Sequence, residues 1–234
     1  MANWTATRIT ADAAEKMQMN AGLLLNRFDV AHPVEPAEAD IICDTTGDIT
    51  INCKADTQDF FEDVNNAPNN TKEGKRITGW TCTIAFECLS FTADALKMAL
   101  GAAEVLSDGG IAPKTQYASA DFKTFYWIGD MIDDTKLLVI KIDNAVSTEG
   151  VSMTTTKNGK GGLNVTLTGH ISTADLKKLP MTFYVLTKST PAYYDATKTY
   201  AVDDQVTYDG KVYKCSTAIA TPEAWTAAHW TEVT

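Results

Sequence analysis

Three histidines, His32, His170 and His229, are the first side chains to test for catalysis or metal binding. None stands in a ligand spacing such as H-E-x-x-H, so each reads as structural or solvated. Two acidic pairs, Glu62/Asp63 and Asp133/Asp134, have the residue types that a glycoside hydrolase uses as acid and nucleophile or base. Both lie in polar, turn-like stretches, where the burial that raises a carboxyl pKa is not expected. Gly159-Lys160-Gly161-Gly162 has the composition of a phosphate cradle. No helix follows it, and together with Asn158 it reads as a hairpin turn. There is no G-x-S-x-G elbow, Walker loop or dinucleotide fingerprint. The cluster Lys72-Glu73-Gly74-Lys75-Arg76 fits an acidic surface of a second copy or a solvated loop equally well. The residues point to a chain that is not an enzyme, with no cofactor and no metal.

Charge and cysteine usage narrow the classes further. The net charge is -10. Residues 191–234 hold three Lys/Arg and six Asp/Glu, and the preceding residues hold 17 and 24, so both parts are acidic. A surface of this sign repels phosphate and argues against sequence-reading nucleic-acid binding. The five cysteines, Cys43, Cys53, Cys82, Cys88 and Cys215, match no disulfide or zinc framework. Cys82 and Cys88 share one predicted strand, about 20 Å apart, too far to bridge. All five read as thiols of a protein made in a reducing cytoplasm. No charged-then-apolar leader and no apolar run of about 20 residues is present, so neither secretion nor a membrane span is expected.

The elements that would carry these residues are mostly strands. A polar N-terminal arm leads into the short apolar run around Leu23–Leu25. Gly47–Lys54 alternates with period two, as a half-buried strand does. The polar stretch 55–79 reads as one long loop, of a length that is usually functional. Trp80, Cys82, Ile84, Phe86 and Cys88 share one face of a strand. Thr92 caps a helix whose apolar stripe is Leu96, Ala99, Leu100, Ala103 and Leu106, and Ser107-Asp108-Gly109-Gly110 stops it. Strands follow at 122–128, 137–142, 163–169 and 181–187. Pro191 opens a separate tail, which gives a domain of residues 1–190 and a small one of residues 191–234. The pattern is a mainly β, antiparallel sandwich or barrel with one flanking helix and a small C-terminal β module. Its unpaired strand edges, its arm and its long loop are devices by which identical copies reach one another.

Two runs carry a family resemblance. "GDITINCKADTQDFFEDVNNAPNNTKEGKRITGWTCTIAFECLSFTADALKMALGAA" and "KLLVIKIDNAVSTEGVSMTTTKNGKGGLNVTLTGH", with "AGLLLNRFD" before them, resemble the major tail tube proteins of long-tailed, non-contractile bacteriophages. The resemblance implies two antiparallel sheets flanked by the helix. It implies hexameric rings whose inner wall is a continuous β-barrel, stacked into a tube in the virion tail and assembled in the host bacterial cytoplasm. It implies that loop 55–79 contacts the next ring, helped by the N-terminal arm. Tape-measure and other tail proteins would be partners, and genome DNA would pass through the lumen without sequence-specific binding. An acidic lumen would let DNA slide, because it supplies few cations to replace condensed counterions. The alternatives are another tail ring component, such as a terminator or distal-tail protein, or a glycan-active enzyme carrying a C-terminal binding module.

The tail resembles a different family. "YDATKTYAVDDQVTYDGKVYKC" followed by "TPEAWTAAHWTEV" is similar to the small carbohydrate-binding modules at the ends of chitinases and cellulases, through Tyr200, Val206, Tyr208, Gly210-Lys211, Tyr213 and Trp230. A fold of about 40 residues buries little surface, so these aromatics first read as a miniature core. The resemblance implies adjacent tryptophans after the Lys-x-Tyr strand as platforms for sugar rings. Here that segment is Lys214-Cys215-Ser216-Thr217-Ala218. Tyr194 and Trp225 remain as candidate exposed aromatics for a cell-surface glycan.

Overall fold

The computed structural model describes residues 10, 12–18, 20, 22–155, 161–188, 191–209 and 211–233. In chain order the strands and helix are β1 (Leu23–Leu25), β2 (Thr45–Asp59), β3 (Lys75–Cys88), α1 (Ala93–Leu100), β4 (Ala103–Val105), β5 (Ile111–Pro113), β6 (Lys123–Asp130) and β7 (Lys136–Ser147). They continue with β8 (Ser152–Thr154), β9 (Gly162–Gly169), β10 (Met181–Thr187), β11 (Gln205–Tyr208), β12 (Lys211–Cys215) and β13 (Trp230–Glu232). The fold is mainly β and antiparallel, as the alternating sequence predicts. The large sheet runs β1-β6-β7-β9-β3-β2, with β10 on β7 and β8 on β9, and it does not close into a barrel.

β7 organises this sheet. Its first half, through Ile142, lies between β6 and β10. Its last residues, Ala145–Ser147, pair with β9 in place of β10, while Ala145 keeps Lys123 of β6 as its other neighbour. The change of partner falls at Asn144, whose φ is +48°, a region that asparagine tolerates better than most residues. The amide of Asn144 donates to the His170 carbonyl at 3.1 Å, and His170 Nδ1 lies 3.2 Å from the Asn144 carbonyl. The strand therefore turns a corner, and the two lobes of the sheet face a common core. From one lobe come Phe125, Trp127, Ile140 and Ile142; from the other come Cys82, Ile84, Phe86, Val165 and Leu167. The alternating face predicted for 80–88 is the one buried here. A second cluster of Leu25, Phe28, Leu137 and Val139 covers the opposite face of the first lobe.

Three expectations are corrected. The stretch 55–79 is not a loop: β2 and β3 continue through it as paired strands, from Ala55↔Trp80 to Asp59↔Lys75, with an irregularity between Asp56 and Thr57. Only residues 60–74 form the connection. The ribbon is polar on both faces, so no hydrophobic alternation marks it in the sequence. The helix is also shorter than its apolar stripe. Thr92 caps it as predicted, accepting from the Ala95 amide at 3.2 Å. The helix ends at Gly101, with φ +75°, well before 107–110. A Cβ at Gly101 would come within 2.2 Å of the Ser147 carbonyl oxygen, so glycine alone permits this close approach of the backbone to β7. Ala103 and Leu106 then belong to the β4–β5 ribbon and its turn. Finally, the buried helical residues are Ala95 and Ala99 rather than the whole stripe. The hairpin signal at Asn158-Gly159-Lys160 lies outside the described residues, as does most of the N-terminal arm.

Candidate functional site

The candidate catalytic residues are either solvent-exposed or paired with neighbouring side chains. Glu62 and Asp63 are exposed in the β2–β3 connection, with Asp63 left-handed at φ +66°. Lys136 and Thr135 hold the Asp133 carboxyl down to about 2, the opposite of what a general acid needs. His32 pairs with Asp29 at 3.0 Å, and His229 with Glu223 at 2.7 Å. His170 packs edge-on to Phe122. Among the described residues no three His, Cys, Asp or Glu side chains are grouped as a metal site, and no helix is long and apolar enough to cross a membrane.

Two surfaces of the β domain stand out instead. β10 has a strand neighbour on one side only among the described residues. Its outward face presents Phe183 and Val185, 52% and 63% exposed. A bare strand edge beside exposed apolar side chains is a template for another strand. The second surface is the end of the β2–β3 ribbon. β9 pairs β3 only as far as Thr83, so the residues beyond leave the sheet as a two-stranded arm. Phe60, Phe61, Val64 and Ile77 are all exposed near its tip. Asp59 shapes the turn: it accepts from the Phe61 and Asn70 amides, each at 3.0 Å, and lies 3.9 Å from Lys75. Asn66 and Asn70 supply further left-handed positions. The basic residues Lys72 and Arg76 are exposed on the same arm.

The C-terminal segment is a three-stranded antiparallel sheet of β11, β12 and β13. Val206, Cys215, Ile219 and Trp230 are buried in it. Around them pack Tyr200 and Tyr213, as the sequence predicts, together with Tyr194 and Trp225, which the sequence reading left as exposed candidates. The rings interlock: Trp225 stacks on Tyr208 at 3.9 Å between centroids and 4° between planes, and lies 5.2 Å from Trp230 at 15°. Tyr194 stacks on Tyr200 at 5.4 Å and meets Trp225 edge-on at 5.0 Å. The Tyr194 hydroxyl donates to the Glu223 carbonyl at 2.8 Å.

Tyr194 and Trp225 are therefore brought together, but as half-buried members of this cluster rather than as free-standing rings. The rings that reach solvent most fully are Tyr193, 79% exposed, and Tyr208, which backs onto Trp225. Tyr193 is not among the candidate residues named from the sequence. Its exposure follows from Tyr194 turning inward beside it, because neighbours on an extended chain point to opposite sides.

Comparison with known proteins gives matches of two kinds. No curated protein matches it. A chain of a structure described as "Virion of native gene transfer agent (GTA) particle" is 12% identical, with a TM-score of 0.35, covering 70% of this chain and 95% of that one. A chain of "Tail of empty GTA particle computed with helical refinement, C6 symmetry" is 14% identical, with a TM-score of 0.31, covering 65% and 92%. Residues 193–231, the segment that holds the aromatic core, match the model of carbohydrate-binding module family 5/12.

Proposed function

We propose that this chain is a structural, non-enzymatic subunit of a bacteriophage tail tube. Residues 1–190 form hexameric rings that stack around a DNA-conducting lumen, and residues 191–234 stand on the outer surface. The observation that carries the reading is the open β10 edge with Phe183 and Val185 on its exposed face. Such an edge is a hazard in a monomer and an asset in a ring, where the next copy pairs it. The arm ending in Phe60, Phe61 and Val64 supplies a second contact of the same kind, reaching toward the neighbouring ring. The acidic balance supports passage of DNA without adhesion. Tape-measure and other tail proteins would set tube length and ends, and assembly would take place in the bacterial cytoplasm.

Electron microscopy of the purified full-length protein tests this reading. Rings of one diameter, stacking into tubes, are expected. The double variant Phe183→Lys, Val185→Lys is expected to remain monomeric with an unchanged melting temperature, because both side chains are solvent-exposed in the single subunit. A protein that is strictly monomeric and absent from tail particles overturns the proposal.

The module's role is proposed as weak glycan binding on the aromatic surface around Tyr194 and Trp225, extended by the exposed rings of Tyr208 and Tyr193. Stacking a sugar ring on an aromatic face buries apolar area without a deep cleft. Many copies along a tube would turn a weak site into useful avidity. Retention of the assembled protein on insoluble chitin or cellulose is expected to exceed that of a truncation ending at residue 188 by more than tenfold. Equal retention would leave the module as a surface decoration.

A further inference from the structure

The root of the β2–β3 arm holds two thiols in contact. Cys53 and Cys82 are direct partners across the antiparallel pair. Their sulfur atoms are 3.0 Å apart. Directly opposed residues of antiparallel strands have Cα separations of about 4.5–5.5 Å, within the range a disulfide spans. The two differ in access, since Cys82 is 1% exposed and Cys53 is half-buried. Their place in the fold also matters. β9 supports β3 from Cys88 to Thr83 and no further. The Cys53–Cys82 pair is thus the first rung beyond β9: Cys82 still packs in the domain core, and from here the ribbon runs on without a third strand. A two-stranded ribbon is marginal on its own in water, so a covalent rung here would hold the arm at the point where the sheet stops doing so.

We infer that Cys53 and Cys82 are an oxidation site that closes into an intrachain disulfide once the protein meets a small-molecule disulfide or another thiol oxidant, clamping the root of the arm. With oxidised glutathione the chemistry balances. The Cys53 thiolate attacks one sulfur, forms a mixed disulfide and releases one glutathione thiolate. The Cys82 thiolate then attacks the Cys53 sulfur and releases the second. Two protein thiols lose two electrons, the reagent gains them, and the two protons end on the two glutathione molecules. Cys53 is the entry point because only it reaches solvent. The remaining thiols, Cys43, Cys88 and Cys215, are all buried, and Cys43 and Cys88 are hydrogen-bonded to each other, so the mapping must tell the two pairs apart.

The test is thiol counting and peptide mapping of the full-length protein, before and after exposure to oxidised glutathione. Five alkylatable thiols are expected before, and three after, with a mass loss of two hydrogens. Trypsin alone does not identify the link, since Cys43 shares the peptide 28–54 with Cys53, and Cys88 shares 77–97 with Cys82. Further cleavage at Asp44 or Asp48 and at Glu87 separates them, and a fragment joining Cys53 to Cys82 is expected. The melting temperature of the oxidised protein is expected to rise by about 5 °C or more, reversed by reductant. Cys53→Ser is expected to keep all four of its thiols after the same treatment, and its reduced melting temperature verifies that it folds. Five persistent thiols in the parent protein, or a link joining Cys43 to Cys88 or joining two chains, overturns the inference. The readout is made on single chains, so its failure is distinct from failure to form rings.

Discussion

Replacing Trp230 by alanine is expected to unfold the C-terminal module while the β domain keeps its melting transition. Trp230 is 6% exposed and packs with Val206, Cys215 and Ile219. Its ring lies within 5.6 Å of those of Tyr194, Tyr200 and Trp225, and its backbone pairs β13 with Cys215 of β12. Truncating a buried tryptophan costs about 3–5 kcal/mol. A unit of this size has a total stability of only about 2–7 kcal/mol, so one substitution removes most or all of it. Limited proteolysis is the direct measurement. The variant should be trimmed to a resistant fragment ending near residue 190, whereas the parent and a Tyr193→Ala control resist. Simultaneous unfolding of both parts would show that residues 191–234 are no separate domain.

The second large effect concerns Asp143, a charged group 5% exposed at the end of the β7 segment that precedes Asn144. Burial alone would raise its pKa, but Lys141 at 3.0 Å, Lys178 at 3.1 Å and the Thr124 hydroxyl at 2.9 Å prevail and hold it below 3.8. Asp143→Ala leaves Lys141 and the Thr124 hydroxyl without this partner. Breaking a buried pair costs about 3–5 kcal/mol, and the partial exposure of Lys178 puts the expected loss near the lower end, about 3 kcal/mol. For a chain of this length that is a fall of about 6–12 °C in melting temperature at pH 7. The pH dependence has a definite sign. The folded carboxyl titrates below its unfolded value of 3.8, so its contribution is complete above that pH and disappears as the pH falls through the folded value. The gap between parent and variant melting temperatures should therefore be wide at pH 7 and narrow progressively as the pH is taken below 3.8. A gap that does not change with pH would mean that Asp143 acts through packing rather than charge.

The strands whose two faces differ were legible in the sequence. Trp80 to Cys88 alternates because one face meets the core and the other does not, and Thr92 announces a helix start by its own hydroxyl. The arm was not legible, because a polar ribbon has no buried face to leave a period in the sequence. The end of the helix was misplaced for a different reason. Ala103 and Leu106 continue the helical spacing, but the backbone of β7 approaches at Gly101 so closely that the chain must turn away. That constraint is tertiary and leaves only a glycine as its trace. At the module, the aromatic core could be read from residue types, whereas the solvent-facing rings could not. Which of Tyr193 and Tyr194 turns inward depends on the position of Trp225, thirty-one residues further on. The Cys53–Cys82 contact was hidden because it depends on strand register, and register was unknown while 55–79 read as a loop.

The corner in β7 also governs how the domain can yield. In a sandwich of two independent sheets, the layers can part like the covers of a book, with facing side chains drawn apart and both hydrogen-bond ladders intact. Here one backbone belongs to both layers, paired to β10 before Asn144 and to β9 after it, with β6 along its other edge on both sides of the corner. Parting the layers must break the β7–β9 backbone hydrogen bonds at Ala145–Ser147, so the soft opening mode is absent and the layers respond to load together. The amides on either side of the corner should be among the last in the chain to exchange with deuterated solvent. Strain entering at one layer, from a neighbour pulling on β10 or on the arm, is then shared through a single covalent strand instead of being absorbed by a slipping interface.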